Sequence, residues 1–434
     1  MVSSEGLFDM LLEAYPIFKN REYLRPTYTP AELPHRDEQI HQLARILAAP
    51  LRGETPSNVF IYGKTGTGKT ATVKYVTKEL EKVAERAPRK VEVIYINCEI
   101  VNTQYRILAT LANKFLDKMR EGRGADVVES DLPGEVPMTG WPTDQVYRCF
   151  FRALDSNKQL AVIVLDEIDK LVLKSGDDVL YNLTRVNSDF KNAKISIVGI
   201  SNDLNFMNYL DPRVRSSLSE EELIFPPYNG LQLKDILDKR AAMSYAPGAL
   251  EPGIISLCAA HAAREHGDAR RALDLLRVAG ELAEREGTDR VTVEHVRQAH
   301  QKIEHDKMLD VIRTLPTQSK LVIGSVILLE EKGERKIITG DVYNVYRALC
   351  RQANLDILTQ RRVSDLINEL DMMGIINARI ISKGRYGRTK EIVLNVQPLQ
   401  ARAAIQEENI NVDVDIVEPQ RHMESFAMRE GHGG

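Results

Sequence analysis

The sequence of 434 residues predicts an α/β domain built on a parallel sheet, then a small helical domain, then a module of three helices that ends in a β-hairpin. Three observations predict this order. Buried-looking strands alternate with helical stretches from residue 58 to about 225, the pattern is wholly helical from 231 to about 307, and alternating strands return only after three further helices. A chain of this length is also long for one hydrophobic core, so several domains are expected.

Four apolar runs supply the predicted sheet, and they read "VFIYG", "VEVIYINC", "LAVIVLDEID" and "ISIVGISN". Continuous apolar runs fit a parallel sheet that helices cover on both faces, because such strands are buried on either side. Helical stretches such as "TATVKYVTKELEKVAERA" separate the strands and give the strand–helix–strand order of a P-loop domain.

Residues 63–70, "GKTGTGKT", stand between the first strand and a helix and fit the pattern G-x-x-x-x-G-K-[ST]. Backbone N–H groups of such a loop form a nest for phosphate, and the positive end of the following helix points to the same place. Lys69 is expected to reach the β- and γ-phosphates, and the Thr70 hydroxyl is expected to ligate Mg²⁺. The predicted ligands are ATP or ADP and Mg²⁺, with the nucleotide held by Gly63, Lys64, Thr65, Gly66, Thr67, Gly68, Lys69, Thr70 and Ala71.

Two carboxylates end the third apolar run, "AVIVLDEID". Asp166 is placed to hold the Mg²⁺ shell, and Glu167 is placed to orient or deprotonate an attacking water. A purely structural explanation is weak here, because burying charge without a partner is costly. For Asp169, a functional role and capping of the next helix are equally good explanations.

Other polar residues are candidates for the same site. Asn202 lies just beyond the fourth strand and could hydrogen-bond the γ-phosphate or the water, although Asn is also a common turn residue. Arg270 and Arg271 open a helix in "GDARRALD"; we favour Arg270 as the one that reaches phosphate, the alternative being a solvated face. Tyr228 and Arg240 could pack near the base or ribose, although turn packing explains Tyr228 equally well.

The C-terminal module is predicted to be a winged helix, a helix-turn-helix variant. Its third helix, "TQRRVSDLINELDMMGI", has Thr359 as a plausible N-cap, and the strands "INARIISKG" and "TKEIVLNV" form the wing. A flexible basic hairpin suits phosphate contact, and the first residues of the third helix face bases in this motif, although charge runs also mark solvated faces. The predicted DNA contacts are Arg361, Arg362, Arg379, Lys383, Arg385, Tyr386, Arg388 and Lys390.

Composition excludes several classes of protein. A formal net charge of −4 argues against a generally basic nucleic-acid binder, so any polyanion site must come from local clustering. Four widely spaced cysteines argue against a zinc finger or a disulfide framework. The sequence shows neither a signal peptide nor an apolar run of membrane-spanning length, so we expect a cytoplasmic protein with no membrane partner. The Gly- and Pro-rich stretch 120–142 is either a functional loop or a plain solvated insertion.

In their order along the chain, these motifs resemble those of an AAA+ ATPase with a helical lid. The stretches "NREYLRPTYTPAELPHRDEQIHQL", "LDPRVRSSLSEEELIFPPYN" and "GDARRALDLLRVAGELAE" narrow the resemblance to archaeal ORC-type replication initiators, a family related to the eukaryotic origin recognition complex and to the cell-division-control helicase loader. The resemblance extends from about Phe18 to Val396. It implies an N-terminal extension 1–17, an AAA+ base 18–230, a lid 231–307, a winged-helix DNA-binding domain 308–398 and an acidic, flexible tail 399–434.

The resemblance also implies roles for residues. Leu33 and Arg36 would line the adenine pocket, Tyr228 and Arg240 would contact nucleotide, and the insertion 120–142 would lie near a DNA-contacting helix. For an arginine finger that reaches a neighbouring subunit, "DPRVRSSL" offers only Arg213 and Arg215 and has serine where the family's S-S-R pattern places the finger. This departure favours a monomer or dimer that hydrolyses ATP slowly.

The implied partners are double-stranded origin DNA, the replicative helicase of the minichromosome maintenance type, and a second copy or paralogue on DNA. ATP hydrolysis would act as a switch in a nucleoid-associated initiator. Two other interpretations share the same domains: an ATP-regulated transcription regulator, and a remodelling ATPase that uses the winged helix to hold protein.

Overall fold

A computed structural model of the chain describes residues 17–86, 90–123, 132–334, 336–382 and 388–407, with only the backbone of 121–123, 382 and 388. The chain divides into two compact units, Met1–Ala299 and His300–Gly434. Each unit has its own core, and each is described by itself below.

Unit 1 contains a five-stranded sheet in the order β2-β3-β4-β1-β5, and all of its strand pairs are parallel. Because the strands are parallel and β1 lies between β4 and β5, the loop that follows β1 opens at the carboxyl edge of the sheet, beside the ends of these two strands. The strands are β1 Val59–Tyr62, β2 Lys90–Asn97, β3 Gln159–Asp166, β4 Lys194–Ser201 and β5 Glu221–Ile224.

Helices cover both faces of the sheet, which explains its continuous apolar strands. Alternate residues of β3 enter separate cores: Val162 and Val164 pack on one face, and Ile163 and Leu165 pack on the other. The helices of this part are α1 Asp37–Leu47, α2 Lys69–Ala84, α3 Gln104–Arg123, α4 Thr143–Asp155, α5 Ile168–Ser175, α6 Asp178–Arg185 and α7 Pro212–Leu218. Short 3₁₀ turns lie at Arg21–Leu24, Ala49–Arg52, Val186–Ser188 and Phe206–Tyr209.

The described part of the insertion is packed rather than fully solvated. Val136 is buried, its N–H donates to Asn113 Oδ1 at 2.7 Å, and its carbonyl accepts from Asn113 Nδ2 at 2.9 Å. Tyr105 donates its hydroxyl to the Pro137 carbonyl at 2.9 Å. Val136 and Pro137 are thus held against α3, while most of the other residues between 132 and 142 are exposed, so the solvated alternative fails only at this contact.

A helical domain completes unit 1. Its helices are α8 Gly230–Ser244, α9 Ile254–Arg264, α10 Ala269–Arg285 and the first part of α11 Val293–Thr314. Asn229 and Gln232 form a capping box that starts α8, because each side chain accepts from the backbone N–H of the other. Leu233, Leu237 and Leu276 are buried in this domain.

Unit 2 has the predicted winged-helix order. Its elements after α11 are α12 Thr317–Glu331, β6 Ile337–Ile338, α13 Thr339–Gln352, α14 Gln360–Met372, β7 Ile376–Ser382, β8 Arg388–Leu394 and α15 Pro398–Gln406. The strands β7 and β8 form the predicted antiparallel hairpin, and β6 adds a short third strand beside β8. The architecture of the two units confirms the predicted fold class.

The predicted tail boundary is wrong for its first residues. The sequence predicts a flexible tail from residue 399, whereas α15 continues to Gln406 with Ala401, Ala404 and Ile405 buried. These apolar side chains join the core of unit 2, and this burial stabilises a helix that is too short to persist alone. Residues 408–434 lie outside the described part of the chain. Among the described residues, every helix is too short or too polar to span a membrane.

Candidate functional site

Unit 1 contains a cavity of about 870 Å³ at the carboxyl edge of its sheet. The N-terminus of α2 and the ends of β2 and β3 form one side of it, and residues of α8 and α10 form the other. Of the predicted phosphate loop, Gly66, Thr67, Gly68, Lys69, Thr70 and Ala71 line the cavity, whereas Gly63, Lys64 and Thr65 do not. A volume of this size is typical of a small-molecule site.

The backbone of the loop requires glycine at its last position before the helix. Gly68 has a φ of +88°, and a Cβ at this position would lie 2.8 Å from the Tyr228 hydroxyl oxygen. Any side chain here would therefore meet both a strained backbone and a collision. The absence of a Cβ lets the loop backbone face the cavity directly.

Lys69 is 4% exposed, and its ammonium group contacts the loop itself. Nζ donates to the carbonyls of Gly63 at 2.8 Å and Lys64 at 2.7 Å. Burial, together with the neighbouring Arg270 guanidinium, lowers the pKa of Lys69 to about 8. Because both partners are neutral carbonyls, this cation is poised for an anionic ligand such as phosphate.

Asp166 has hydrogen-bond partners on both carboxylate oxygens. The Thr70 hydroxyl donates to Oδ2 at 2.8 Å, the Tyr95 hydroxyl donates to the same oxygen, and the Glu167 N–H donates to Oδ1 at 3.0 Å. Sequence reasoning did not predict the contact of Tyr95 with Asp166. Its signal in the sequence is weak: Tyr95 is an aromatic residue with a polar group within the apolar run "VEVIYINC". It lies two residues before Asn97, which pairs with Asp166 in the sheet. Thr70 and Asp166 supply the oxygen donors that Mg²⁺ prefers, so this pair fits the predicted metal.

Glu167 lines the cavity with its backbone in the left-handed region, at a φ of +56°. A non-glycine residue in this region stores strain, and such strain concentrates at functional sites. Burial, and then the carboxylates of Glu99 and Asp166, raise the pKa of Glu167. A carboxylate with a raised pKa is a better proton acceptor, as a general base requires.

The structure separates the two explanations for Asp169. Its Oδ1 accepts from the Ser201 hydroxyl at 3.0 Å and from the Asn202 N–H at 3.4 Å, so it holds the end of β4 rather than capping α5. Asn202 lines the cavity, at the position where the sequence predicts it. The turn after β4 is thus fixed by a buried carboxylate.

The helical domain contributes the predicted cations. Arg270 lines the cavity, whereas the Arg271 guanidinium pairs with Glu265 at 2.8 Å, which agrees with the choice of Arg270. Arg240 also lines the cavity; it donates to the Tyr23 carbonyl at 2.9 Å and lies 4.5 Å from the ring centre of Tyr28. It therefore ties the N-terminal segment to α8.

Arg36 is placed differently from the expectation. It is 2% exposed and does not line the cavity. Its guanidinium donates to the carbonyls of Thr67 at 2.8 Å, His35 at 3.0 Å and Pro226 at 2.7 Å, and it lies 3.8 Å from the ring centre of Tyr228. Arg36 thus supports the loop from behind instead of lining the predicted adenine pocket.

An irregular segment, residues 25–34, lines one wall of the cavity and includes the predicted residue Leu33. Sequence reasoning missed the rest of the segment, whose signal is the proline-rich stretch "RPTYTPAELP". Tyr228 lines the cavity, and its ring also packs on the Arg36 guanidinium. The structure therefore shows both placements that the sequence left open for Tyr228, one at the cavity and one in local packing.

The predicted DNA contacts of unit 2 are only partly described. Arg361, Arg362 and Arg379 are exposed, and the Thr359 hydroxyl accepts from the Arg362 N–H at 3.3 Å, which confirms the predicted N-cap of α14. Arg362 also pairs with Glu369 at 3.8 Å, and the Lys390 ammonium donates to Asn368, so Lys390 leans on α14. Lys383, Arg385 and Tyr386 lie outside the described residues, and only the backbone of Arg388 is described.

The two candidates for an arginine finger differ in their contacts. Arg213 forms an ion pair with Asp211 at 3.0 Å and lies 5.1 Å from the ring centre of Tyr181. Arg215 is exposed on the same short helix, α7. Arg213 is therefore already engaged within its own subunit.

Comparisons with known proteins place these features in one family. A model of the "AAA ATPase domain" matches residues 32–195, a model of the "Cdc6 AAA+ ATPase-type lid domain" matches 234–301, and a model of the "CDC6, C terminal winged helix domain" matches 310–404. An ORC1-type DNA replication protein of Pyrococcus abyssi is 61% identical over 398 residues, covering 92% of each chain. ORC1-type DNA replication protein 4 of Haloarcula marismortui is 55% identical over 453 residues, covering 96% of this chain and 86% of that protein.

A solved structure agrees with the sequence relatives. The ORC1 protein of Aeropyrum pernix, solved in complex with DNA, superposes with a TM-score of 0.71 at 45% sequence identity. The match covers 91% of this chain and 98% of that one.

Proposed function

Since this chain belongs to the family of ORC1-type DNA replication proteins, we propose that it is an ATP-dependent replication initiator that binds origin DNA and helps to recruit or load the replicative helicase of the minichromosome maintenance type. The observation that carries the proposal is the cavity of unit 1, where the phosphate loop, the Asp166–Glu167 pair and Arg270 of the helical lid meet. A nucleotide bound there would touch base and lid together.

The described residues fit ATP or ADP with Mg²⁺. Lys69 and the backbone of the loop would hold the phosphates, and Thr70 and Asp166 would hold the metal ion. Bound Mg²⁺ would neutralise phosphate charge. Glu167 would orient and deprotonate the attacking water, with Asn202 as a second polar contact.

Nucleotide state would act as the switch in this proposal. Arg270 and Arg240 belong to the lid, whereas Lys69 belongs to the base, so the charge of the bound phosphates would set how closely the two approach. Slow hydrolysis is consistent with this use, because a switch needs a lasting state rather than rapid turnover. A second copy or a paralogue on DNA is part of the proposal.

The DNA-binding surface proposed for unit 2 consists of Arg361 and Arg362 at the start of α14 and the basic residues of the wing. Contacts of the wing would neutralise phosphates, and those of α14 would reach base edges. The match to a structure that was solved with DNA supports this assignment. We place the protein in the cytoplasm, associated with the nucleoid.

The test is selection of fragments from the source genome by the purified full-length protein, with excess competitor DNA and at two salt concentrations. Enrichment of a repeated element in one intergenic region beside a replication gene is expected. Binding scattered over many promoters would favour a transcription regulator instead, and no enrichment at all would remove the DNA-binding half of the proposal. Association of the enriched complex with purified replicative helicase tests the remaining part.

A further inference from the structure

We propose that Asp268 is a positioning residue that joins the lid helix α10 to the phosphate loop and so places Arg270 at the cavity. The inference rests on the proposed function, because it assumes that nucleotide binds in this cavity. It concerns a residue that does not itself line the cavity.

The Asp268 carboxylate contacts two elements at once. Its Oδ1 accepts from the N–H groups of Arg270 at 2.8 Å and Arg271 at 3.2 Å, which makes Asp268 the N-cap of α10. Its Oδ2 accepts from the Thr65 hydroxyl of the loop at 3.2 Å. One side chain therefore starts the lid helix and holds the phosphate loop.

The loop has a surface that accommodates this carboxylate. Gly66 has a φ of +67°, and a Cβ at Gly66 would lie 1.6 Å from Asp268 Oδ1. The carboxylate thus occupies the space that a side chain at residue 66 would fill. The Ala269 N–H also donates to the Gly66 carbonyl at 3.1 Å, so the first turn of α10 lies directly on the loop.

The residue before Asp268 makes a second close backbone contact, with Tyr228 at the end of the sheet domain. The Tyr228 N–H donates to the Gly267 carbonyl at 3.2 Å, and a Cβ at Gly267 would lie 2.3 Å from the Tyr228 carbonyl oxygen. Two backbone contacts and one carboxylate therefore fix the start of the lid helix. Of these three, only the carboxylate can be removed by substitution without altering the main chain.

The position of Arg270 depends on the contact between the start of α10 and the phosphate loop, because Arg270 is the second residue of α10. Its guanidinium has no hydrogen-bond partner among the described residues, so nothing but the helix itself holds it at the cavity. If Asp268 loses its contact with Thr65, the start of α10 can move away from the loop and carry Arg270 with it. A helix cap without this coupling would leave Arg270 unaffected.

The test measures release of an N-methylanthraniloyl derivative of ADP from the full-length protein by stopped flow. Asp268→Ser keeps an N-cap but is too short to reach Thr65, and Thr65→Val removes the other partner without touching the cap. Both variants should release the probe about tenfold faster than the wild-type protein, the effect expected for loss of one hydrogen bond between the lid helix and the loop. Asp268→Asn, which can still cap and still bond Thr65, should restore a rate close to wild type.

A double variant separates positioning from simple stabilisation. If Asp268 acts through Arg270, then Asp268→Ser combined with Arg270→Ala should release the probe no faster than Arg270→Ala alone. The inference would be overturned if the double variant released the probe faster than Arg270→Ala by the same factor that Asp268→Ser alone produces. It would also be overturned if Asp268→Ser and Thr65→Val both released the probe at the wild-type rate. If the wild-type protein does not bind the probe, the proposed function fails together with the inference. If the wild-type protein binds the probe but the variants release it at the wild-type rate, only the inference fails.

Discussion

The cavity of unit 1 and the winged-helix module of unit 2 hold their charged side chains in different ways. In the cavity region, Arg36, Lys69 and Asp166 are each less than 5% exposed and donate to or accept from groups of the protein itself. In unit 2, Arg361 and Arg379 are exposed on the surface.

This difference separates two kinds of binding site. The fold prearranges the cavity, because burial makes an unpaired charge too costly to leave in place. Water can solvate exposed cations such as Arg361 and Arg379, so burial does not fix the positions of these side chains. Substitutions of the buried, internally paired cations near the cavity should therefore change stability and binding together, whereas those on the wing should change binding alone.

The largest effect is expected for Glu167→Gln. Removing the general base should lower the rate of ATP hydrolysis by at least about 100-fold. Binding of ADP should change little, because Glu167 is not a proposed phosphate ligand. The measurement is single-turnover hydrolysis beside equilibrium binding. Glu99→Gln is the control: it removes a carboxylate that raises the pKa of Glu167, so hydrolysis should persist with its pH profile shifted to lower pH. Equal losses in both variants would contradict the assignment.

Arg36→Met tests whether the cavity is prearranged. Three carbonyl groups would lose their partner, and the expected loss of stability is about 3 kcal/mol. The melting temperature and ADP affinity should fall together, because the Thr67 carbonyl belongs to the phosphate loop. Arg45→Met, at an exposed position of α1, the helix that Arg36 directly precedes, should change neither quantity. Wild-type stability of the Arg36 variant would remove the main contrast with the wing.

The pH dependence of ADP binding tests Lys69. The folded protein without ligand holds the pKa of Lys69 at about 8, below the ordinary 10.5, so phosphate binding that needs the ammonium should weaken above pH 8. The loss approaches tenfold per pH unit. The same depression means that this group opposes folding below pH 8, and that this cost disappears as pH rises towards 10.5. Titration of ADP without Mg²⁺ between pH 7 and 9.5 should show the slope in wild type and in Lys64→Ala, but not in Lys69→Ala.

The smallest effect is expected for Arg379→Gln on the wing. In a plot of log affinity against log salt concentration, each phosphate contact adds close to one unit to the steepness of the slope. Loss of one contact should therefore make the slope shallower by about one. The loss should be equal for all DNA sequences, and the melting temperature should stay unchanged. Arg313→Gln is the control, because that guanidinium already pairs with Asp310 and Glu407. A fall in melting temperature for Arg379→Gln would mean that the Arg379 side chain contributes to folding as well as to DNA binding.

The sequence predicted those parts of the site that are local in the chain. Residues 66–71 of the predicted phosphate loop, Asp166 and Glu167 line the cavity, whereas Gly63, Lys64 and Thr65 of the same loop do not. The predicted N-cap of α14 is also confirmed. Arg36 shows where this reasoning fails: the family resemblance assigns it to the adenine pocket, but the folded chain turns it to the Thr67 and Pro226 carbonyls.

The tertiary structure decided the contacts between segments that are distant in the chain. Tyr95 meets Asp166 because β2 and β3 are neighbours in the sheet, and Asp268 meets Thr65 because the lid folds back on the loop, 203 residues away along the chain. Residue type alone does not predict such tertiary contacts, since a tyrosine in a strand or an aspartate before a helix is common in any protein. The sequence by itself thus determined which residue types are available for phosphate and metal-ion binding, and packing determined which of these side chains meet and what holds them in place.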